Sequence, residues 1–110
     1  MLKCALDIDD TLGSWLSEYI KIYGNPSSDQ EITRNIQRDL RYNQDFWLTL
    51  PVLERLNFDP TLYCTKRIIK KSWTRKWLLD NGFPDKPIYQ MYNQYGNKAT
   101  LIKGRCDVLI

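Results

Sequence analysis

A parallel α/β sheet with helices on both faces is the fold class this sequence predicts. Three observations carry the prediction: short apolar runs suited to buried strands, amphipathic stretches at helical spacing between them, and Gly, Asn and Pro punctuation at the junctions. At 110 residues the chain is one domain's worth, because domains usually run to about 100–150 residues. The expected division is a core from 1–13 and 57–110, with a flap and small helical cap over 14–56.

Leu2 to Ile8 is apolar and bounded by acids, and its length suits a buried strand better than a helix. From Ser14 to Tyr23, Trp15, Leu16, Tyr19, Ile20 and Tyr23 recur at spacings of three and four until Gly24-Asn25-Pro26 stops the pattern, so an amphipathic helix is expected. Ser28 with Glu31 three residues on resembles a capping box, and Ile32, Ile36 and Leu40 extend a second helix to Tyr42. The stretch from Asp45 to Leu56 is expected to be helical, kinked or divided at Pro51. Thr61 to Thr65 reads as the second strand, and a helix with Ile69, Trp73 and Trp77 along one face follows it. Asn81-Gly82 and Pro84 stop that helix. Pro87 to Met91 reads as a third strand, Tyr92 to Asn97 as a polar loop, Lys98 to Lys103 as a short helix and Asp107 to Ile110 as a fourth strand. Strands joined by helical crossovers give a parallel, Rossmann-like sheet.

Composition narrows the chemistry. Apolar content of 43% and charged content of 26% are globular, and no apolar run approaches the roughly 18 residues of a membrane span. The first residues enter a strand pattern without the features of a secretory signal, so a cytoplasmic setting is expected. Cys4, Cys64 and Cys106 lie far apart inside apolar runs, as buried reduced thiols do. Histidine is absent, which excludes Ser-His-Asp and Cys-His catalysis and every His-based zinc motif. Chemistry must then rest on carboxylates, Lys, hydroxyls or an oxygen-bound metal. The formal charge of +3 admits an anionic ligand without calling for nucleic acid.

Ligands of such sheets bind outside the carboxyl ends of the strands. The first strand ends in Asp7-Ile8-Asp9-Asp10-Thr11, the second in Thr65, and the loop after the third leads to Lys98, so carboxylates, hydroxyls and an ammonium converge on one edge. Two carboxylates in different environments can divide labour between nucleophile and proton carrier, while a hydroxyl and a Lys hold phosphoryl oxygens.

These residues carry a family resemblance. Leu6-Asp7-Ile8-Asp9-Asp10-Thr11-Leu12 resembles the first motif of the haloacid dehalogenase superfamily, an apolar strand followed by Asp-x-Asp-x-Thr. Leu62-Tyr63-Cys64-Thr65 resembles its second motif. Trp77-Leu78-Leu79-Asp80-Asn81-Gly82-Phe83-Pro84 resembles the helix end before the third strand in small phage-type and nucleotidase-like members, and Lys98 resembles the third motif. The resemblance implies Asp7 as nucleophile forming an aspartyl-phosphate and Asp9 as general acid/base. It implies Thr11, Thr65 and Lys98 as phosphate binders, Mg²⁺ held by Asp7 and the backbone carbonyl of Asp9, and a small phosphomonoester, such as a nucleotide, as substrate. Arg67, just past Thr65, is placed to reach the substrate as well. The family's fourth motif is an acidic pair directly after the fourth strand, and the sequence reaches Ile110 where that pair would follow. The alternative expectation is therefore a weak or inactive binding module of the same fold, with the sheet edge available for homodimer formation.

Plainer readings compete at several positions. Asp10 or Ser14 suits the cap of the following helix, and a calcium loop starting at Asp7 has Leu12 where the turn needs Gly. Lys103 competes with Lys98 for the third-motif role. Lys66, Arg67, Lys70, Lys71, Arg75 and Lys76 interleave with Trp73 and Trp77, a pattern better explained as the solvated side of a helix packed on the sheet than as a nucleic-acid surface. Phe46, Trp47, Tyr92 and Tyr95 are candidates for stacking on a base, with core packing as the safer assignment.

Overall fold

A computed structural model describes residues 2–91 and 98–110. Four strands form one all-parallel sheet: β1 (Cys4–Asp7), β2 (Leu62–Lys66), β3 (Ile88–Met91) and β4 (Val108–Leu109), in the order β3-β2-β1-β4. The helices are α1 (Leu16–Tyr23), α2 (Asp29–Arg38), α3 (Gln44–Leu48), α4 (Lys71–Asp80) and α5 (Lys98–Ile102). The Rossmann-like α/β class expected from the sequence is the class observed. From β1 the chain builds outward through β2 to β3 and then crosses back to β4 on the other side. The strand order therefore reverses beside β1, and the crevice of such a sheet opens at its carboxyl end.

Alternation along the strands divides the core between the two faces. Leu6, Ile8, Tyr63 and Ile88 join the larger cluster with Trp77, Leu78 and Phe83 from α4 and its exit, whereas Ala5, Leu62 and Cys64 form a smaller one with Ile102 of α5. The insertion between β1 and β2 adds Leu12, Tyr19, Leu40, Phe46, Trp47 and Leu50 to the larger cluster. Trp77 joins the two layers: it is fully buried, its Nε1 donates to the Leu50 carbonyl at 2.8 Å, and its ring lies under Gly13. A Cβ on Gly13 would stand 3.2 Å from that ring, so glycine is what lets the loop after β1 settle onto it.

The cap differs from expectation in two places. Residues 49–56 are not helical. The helix stops at Leu48, and the chain then runs extended beside the turn after β1: Ser14 N–H donates to Pro51 O at 2.9 Å, Leu53 N–H donates to Leu12 O at 2.7 Å, and Gly13 bridges Val52 antiparallel. Pro51 explains the change, since it biases Leu50 away from helical backbone and has no N–H to continue a helix. The second helix also ends early, at Arg38. Asp39 leaves helical geometry, its carboxylate held by Tyr23 Oη at 3.1 Å and by Arg38, and a single 3₁₀ turn over Leu40–Tyr42 then buries Leu40.

Ser28 caps α2 as expected, its Oγ accepting from Glu31 N–H at 3.2 Å, but Glu31 returns its carboxylate to Ser27 rather than to Ser28. The Ser27 hydroxyl and backbone N–H hold the Glu31 carboxyl below the usual carboxylate range. No helix among the described residues is long and apolar enough to cross a membrane.

Candidate active site at the end of the central strand

The loop after β1 places two aspartates on different supports. Asp7 is the last residue of β1, paired in register with Cys64 of β2, and its side chain stands at the carboxyl edge beside the point of strand reversal. The next four residues turn tightly on one carbonyl: the backbone N–H groups of Thr11, Leu12 and Gly13 all approach Ile8 O, at 3.2, 2.8 and 3.1 Å. Asp10 adopts φ 59°, a left-handed conformation that Asp tolerates better than most residues. From there its Oδ1 accepts from the N–H groups of Trp15 and Leu16, each at 3.0 Å, so Asp10 caps the entry to α1 and is not a site acid.

Lys98, the first residue of α5, reaches Asp7. Its Nζ lies 2.5 Å from Asp7 Oδ1, which also accepts from Ile8 N–H at 2.9 Å. The two side chains are 21% and 23% exposed, so the pair is open to ligand. Asp7 Oδ2 carries no hydrogen bond among the described residues. Of the two candidate lysines it is Lys98 that reaches Asp7; Lys103 is exposed just past the end of α5.

Asp9 has a different partner. Arg67, from just past β2, grips it as a fork, with Nη2 2.6 Å from Oδ1 and Nε 3.0 Å from Oδ2. Thr65 Oγ1 approaches Oδ2 at 3.5 Å, the limit for a hydrogen bond. The Arg67 side chain is only 1% exposed, so its guanidinium lies inside the protein rather than at the open edge where a substrate would meet it. Three neighbours hold it there. Nη1 donates to Thr74 Oγ1 of α4 at 3.3 Å, the Trp47 ring of α3 covers it at 4.9 Å, and Gln90 Nε2 of β3 donates to the Arg67 carbonyl at 3.1 Å. Gln90 Oε1 in turn accepts from Thr74 Oγ1 at 3.0 Å, which closes a buried polar network.

Sequence reasoning did not find Thr74 and Gln90, nor the pairing of Arg67 with Asp9. The signal available was a polar residue on a helix face and another in a strand covered on both sides, each of which needs a buried partner. Thr11, the remaining candidate, is half-buried, with no side-chain hydrogen bond among the described residues. Tyr92 and Tyr95 lie outside the described residues. Phe46 and Trp47 are core residues, 7% and 2% exposed. Lys66, Lys70, Lys71, Arg75 and Lys76 are solvated while Trp77 is buried, and Arg75 is tied to Asp85 at 2.6 Å.

Cys64 is fully buried on the opposite face of β2. Burial pushes its thiol pKa up, with Lys98 opposing and Asp7 reinforcing the shift. Cys4 and Cys106 are raised by burial too, so all three thiols are poorly disposed to act as nucleophiles. Asp107 Oδ2 accepts from Lys3 N–H at 2.8 Å, near the amino end of β1 and away from the site.

No set of three acidic or thiol side chains that could hold a metal gathers among the described residues. The donors that the resemblance assigns to Mg²⁺ are Asp7, whose Oδ2 has no hydrogen bond among the described residues, and the Asp9 backbone carbonyl. That set is too small for a resident cage, but it fits Mg²⁺, which keeps several waters and takes further ligands from a phosphate. Compared with family models, with curated proteins and with solved structures, the chain gives no match in any of the three.

Proposed function

We propose that the chain is a Mg²⁺-dependent phosphohydrolase of the haloacid dehalogenase type, acting on a small phosphomonoester such as a nucleotide through an aspartyl-phosphate at Asp7. The observation that carries this reading is the arrangement of Asp7: one carboxylate oxygen held by Lys98 at 2.5 Å, the other without a protein partner among the described residues, at the carboxyl end of a central parallel strand.

The chemistry divides between the two aspartates. Asp7 Oδ2 attacks phosphorus, the bond from phosphorus to the ester oxygen breaks, and the leaving oxygen takes a proton from Asp9. Water then attacks the aspartyl-phosphate, giving its proton to Asp9; the bond from phosphorus to Asp7 breaks, and phosphate leaves with the Asp7 carboxylate restored. Lys98 offsets negative charge on the phosphoryl oxygens, and the Thr65 hydroxyl stands beside Asp9. Mg²⁺ held by Asp7 and the Asp9 carbonyl would supply further neutralisation of the phosphate.

A second reading is a catalytically weak binding module of the same fold. It is favoured by the commitment of both aspartates to cations and by the lack, among the described residues, of a group of three side chains that could hold a metal. Phosphate release from nucleoside monophosphates and from an aryl phosphate, with and without Mg²⁺, separates the two. Metal-dependent release that falls at least ~1000-fold in Asp7→Asn is the expected result. No release by the parent protein, with phosphate binding retained, favours the module.

A further inference from the structure

Arg67 is the most deeply buried charge in the described structure, and its burial is organised around one carboxylate. An arginine fork matches a carboxylate in a fixed plane and fixes direction as well as distance. Here the fork is itself braced from three elements: Thr74 of α4 holds Nη1, Gln90 of β3 holds the backbone of Arg67, and Trp47 of the cap covers the guanidinium face. An unbraced arginine at a strand end could swing to follow a mobile aspartate. This one has no room to do so, and Asp9 must take the orientation it dictates.

We propose that Arg67 is a positioning residue that aims the Asp9 carboxylate for proton transfer, and that Trp47 makes this aim depend on the cap being seated. The inference rests on the phosphohydrolase reading and goes beyond it, because it assigns a function to a group that cannot touch substrate from where it lies. The site also becomes responsive to the cap: displacing α3 uncovers the guanidinium, admits water to the ion pair and loosens Asp9 without disturbing Asp7 and Lys98, which α5 and β1 hold separately.

Leaving-group dependence tests the idea, because a misaimed acid matters most when the departing oxygen needs a proton. Values of kcat/KM, which report on chemistry up to phosphoryl transfer, are measured with Mg²⁺ for Arg67→Lys and Trp47→Leu on a nucleoside monophosphate and on 4-nitrophenyl phosphate. Lysine keeps the charge but not the fork. The expected result is a loss of about a hundredfold on the alkyl ester for Arg67→Lys, against less than about tenfold on the aryl ester, with Trp47→Leu shifting in the same direction by a smaller factor. Equal losses on both esters, or none, in a folded variant overturn the positioning role while leaving the phosphohydrolase reading intact. A parent protein that releases no phosphate from either ester overturns both. If Arg67→Lys fails to fold, Trp47→Leu and Thr74→Val carry the same test, and equal effects on the two esters in both overturn the proposal.

Discussion

The two ion pairs at the end of β1 lie two residues apart along the chain and belong to different physical regimes. Asp7 meets Lys98 where both side chains are about one-fifth exposed, so water screens the charges and either partner can be exchanged for a ligand. Asp9 meets Arg67 where the cation is 1% exposed and hydrogen-bonded on several sides. The first pair is arranged to be opened. The second is arranged to stay, and breaking it would leave a cation that the fold has removed from water. A flexible lysine on a short helix and a braced arginine just past β2 are suited to those different tasks.

Stability measurements break or sustain this contrast most directly. Asp9→Asn strands the Arg67 charge and is expected to cost about 3 kcal/mol or more. Asp7→Asn leaves Lys98 free to turn to solvent and should cost no more than about 1 kcal/mol. Urea unfolding of the two variants decides the matter: a shift in midpoint at constant slope that is several times larger for Asp9→Asn supports the contrast, and equal shifts refute it. On the proposed mechanism both variants lose phosphate release, Asp7→Asn through its nucleophile and Asp9→Asn through its proton carrier, but only Asp9→Asn should lose stability with it.

Next in size is the floor beneath both aspartates. Gly13→Ala places a methyl 3.2 Å from a Trp77 ring that cannot easily retreat, because Leu50 O holds its Nε1 at 2.8 Å and Phe83 stacks on it at 5.6 Å. A loss of about 2 kcal/mol is expected, as for an overpacked core. A neutral outcome by the same unfolding assay would mean that the loop floats above Trp77 and does not fix the two carboxylates.

Much of this was legible in the chain, and the unreadable part has physical causes. Short apolar runs announced the parallel strands because strands covered on both faces need apolar residues at every position, and Ala5, Leu6, Leu62 and Tyr63 are all buried. Asp7, Thr65 and Lys98 could be placed because each lies at the carboxyl end of a strand or opens a helix. Arg67 could be placed at the same edge but not turned inward, since direction depends on Thr74 and Gln90, which are 7 and 23 positions away. Residues 49–56 carry a helical composition, yet the chain there pairs with the turn after β1, and a tertiary pairing of that kind leaves no periodic trace.

Alkaline titration probes the buried side of the sheet independently. Tyr63 is 1% exposed and donates its hydroxyl to Pro84 O at 2.7 Å; burial first, then Asp59 and Asp85, pushes its pKa up to about 12 from the ordinary 10.0 of a phenol. A raised folded-state pKa means that the contribution of Tyr63 is fully present below pH 10 and is lost as pH rises through about 12. Unfolding midpoints across that window should fall for the parent protein and fall less steeply for Tyr63→Phe. An unchanged slope would show that the phenol is not protected from ionisation.

The smallest expected effect tests whether the braced pair depends on the whole cap or only on α3. Ser28 satisfies one orphan N–H at the start of α2, so Ser28→Ala should cost about 1 kcal/mol. α2 reaches the larger core cluster through Ile32 and Ile36, whereas the arginine is covered by Trp47. Ser28 bonds to Glu31 and Ile32 and not to Asp9, Arg67 or Trp47, and perturbations without shared partners add. Combining Ser28→Ala with Asp9→Asn should therefore give a loss equal to the sum of the two to within about 0.5 kcal/mol. A larger departure would mean that fraying α2 already loosens Asp9, moving the boundary of the rigid site outward from α3 to the entire insertion between β1 and β2.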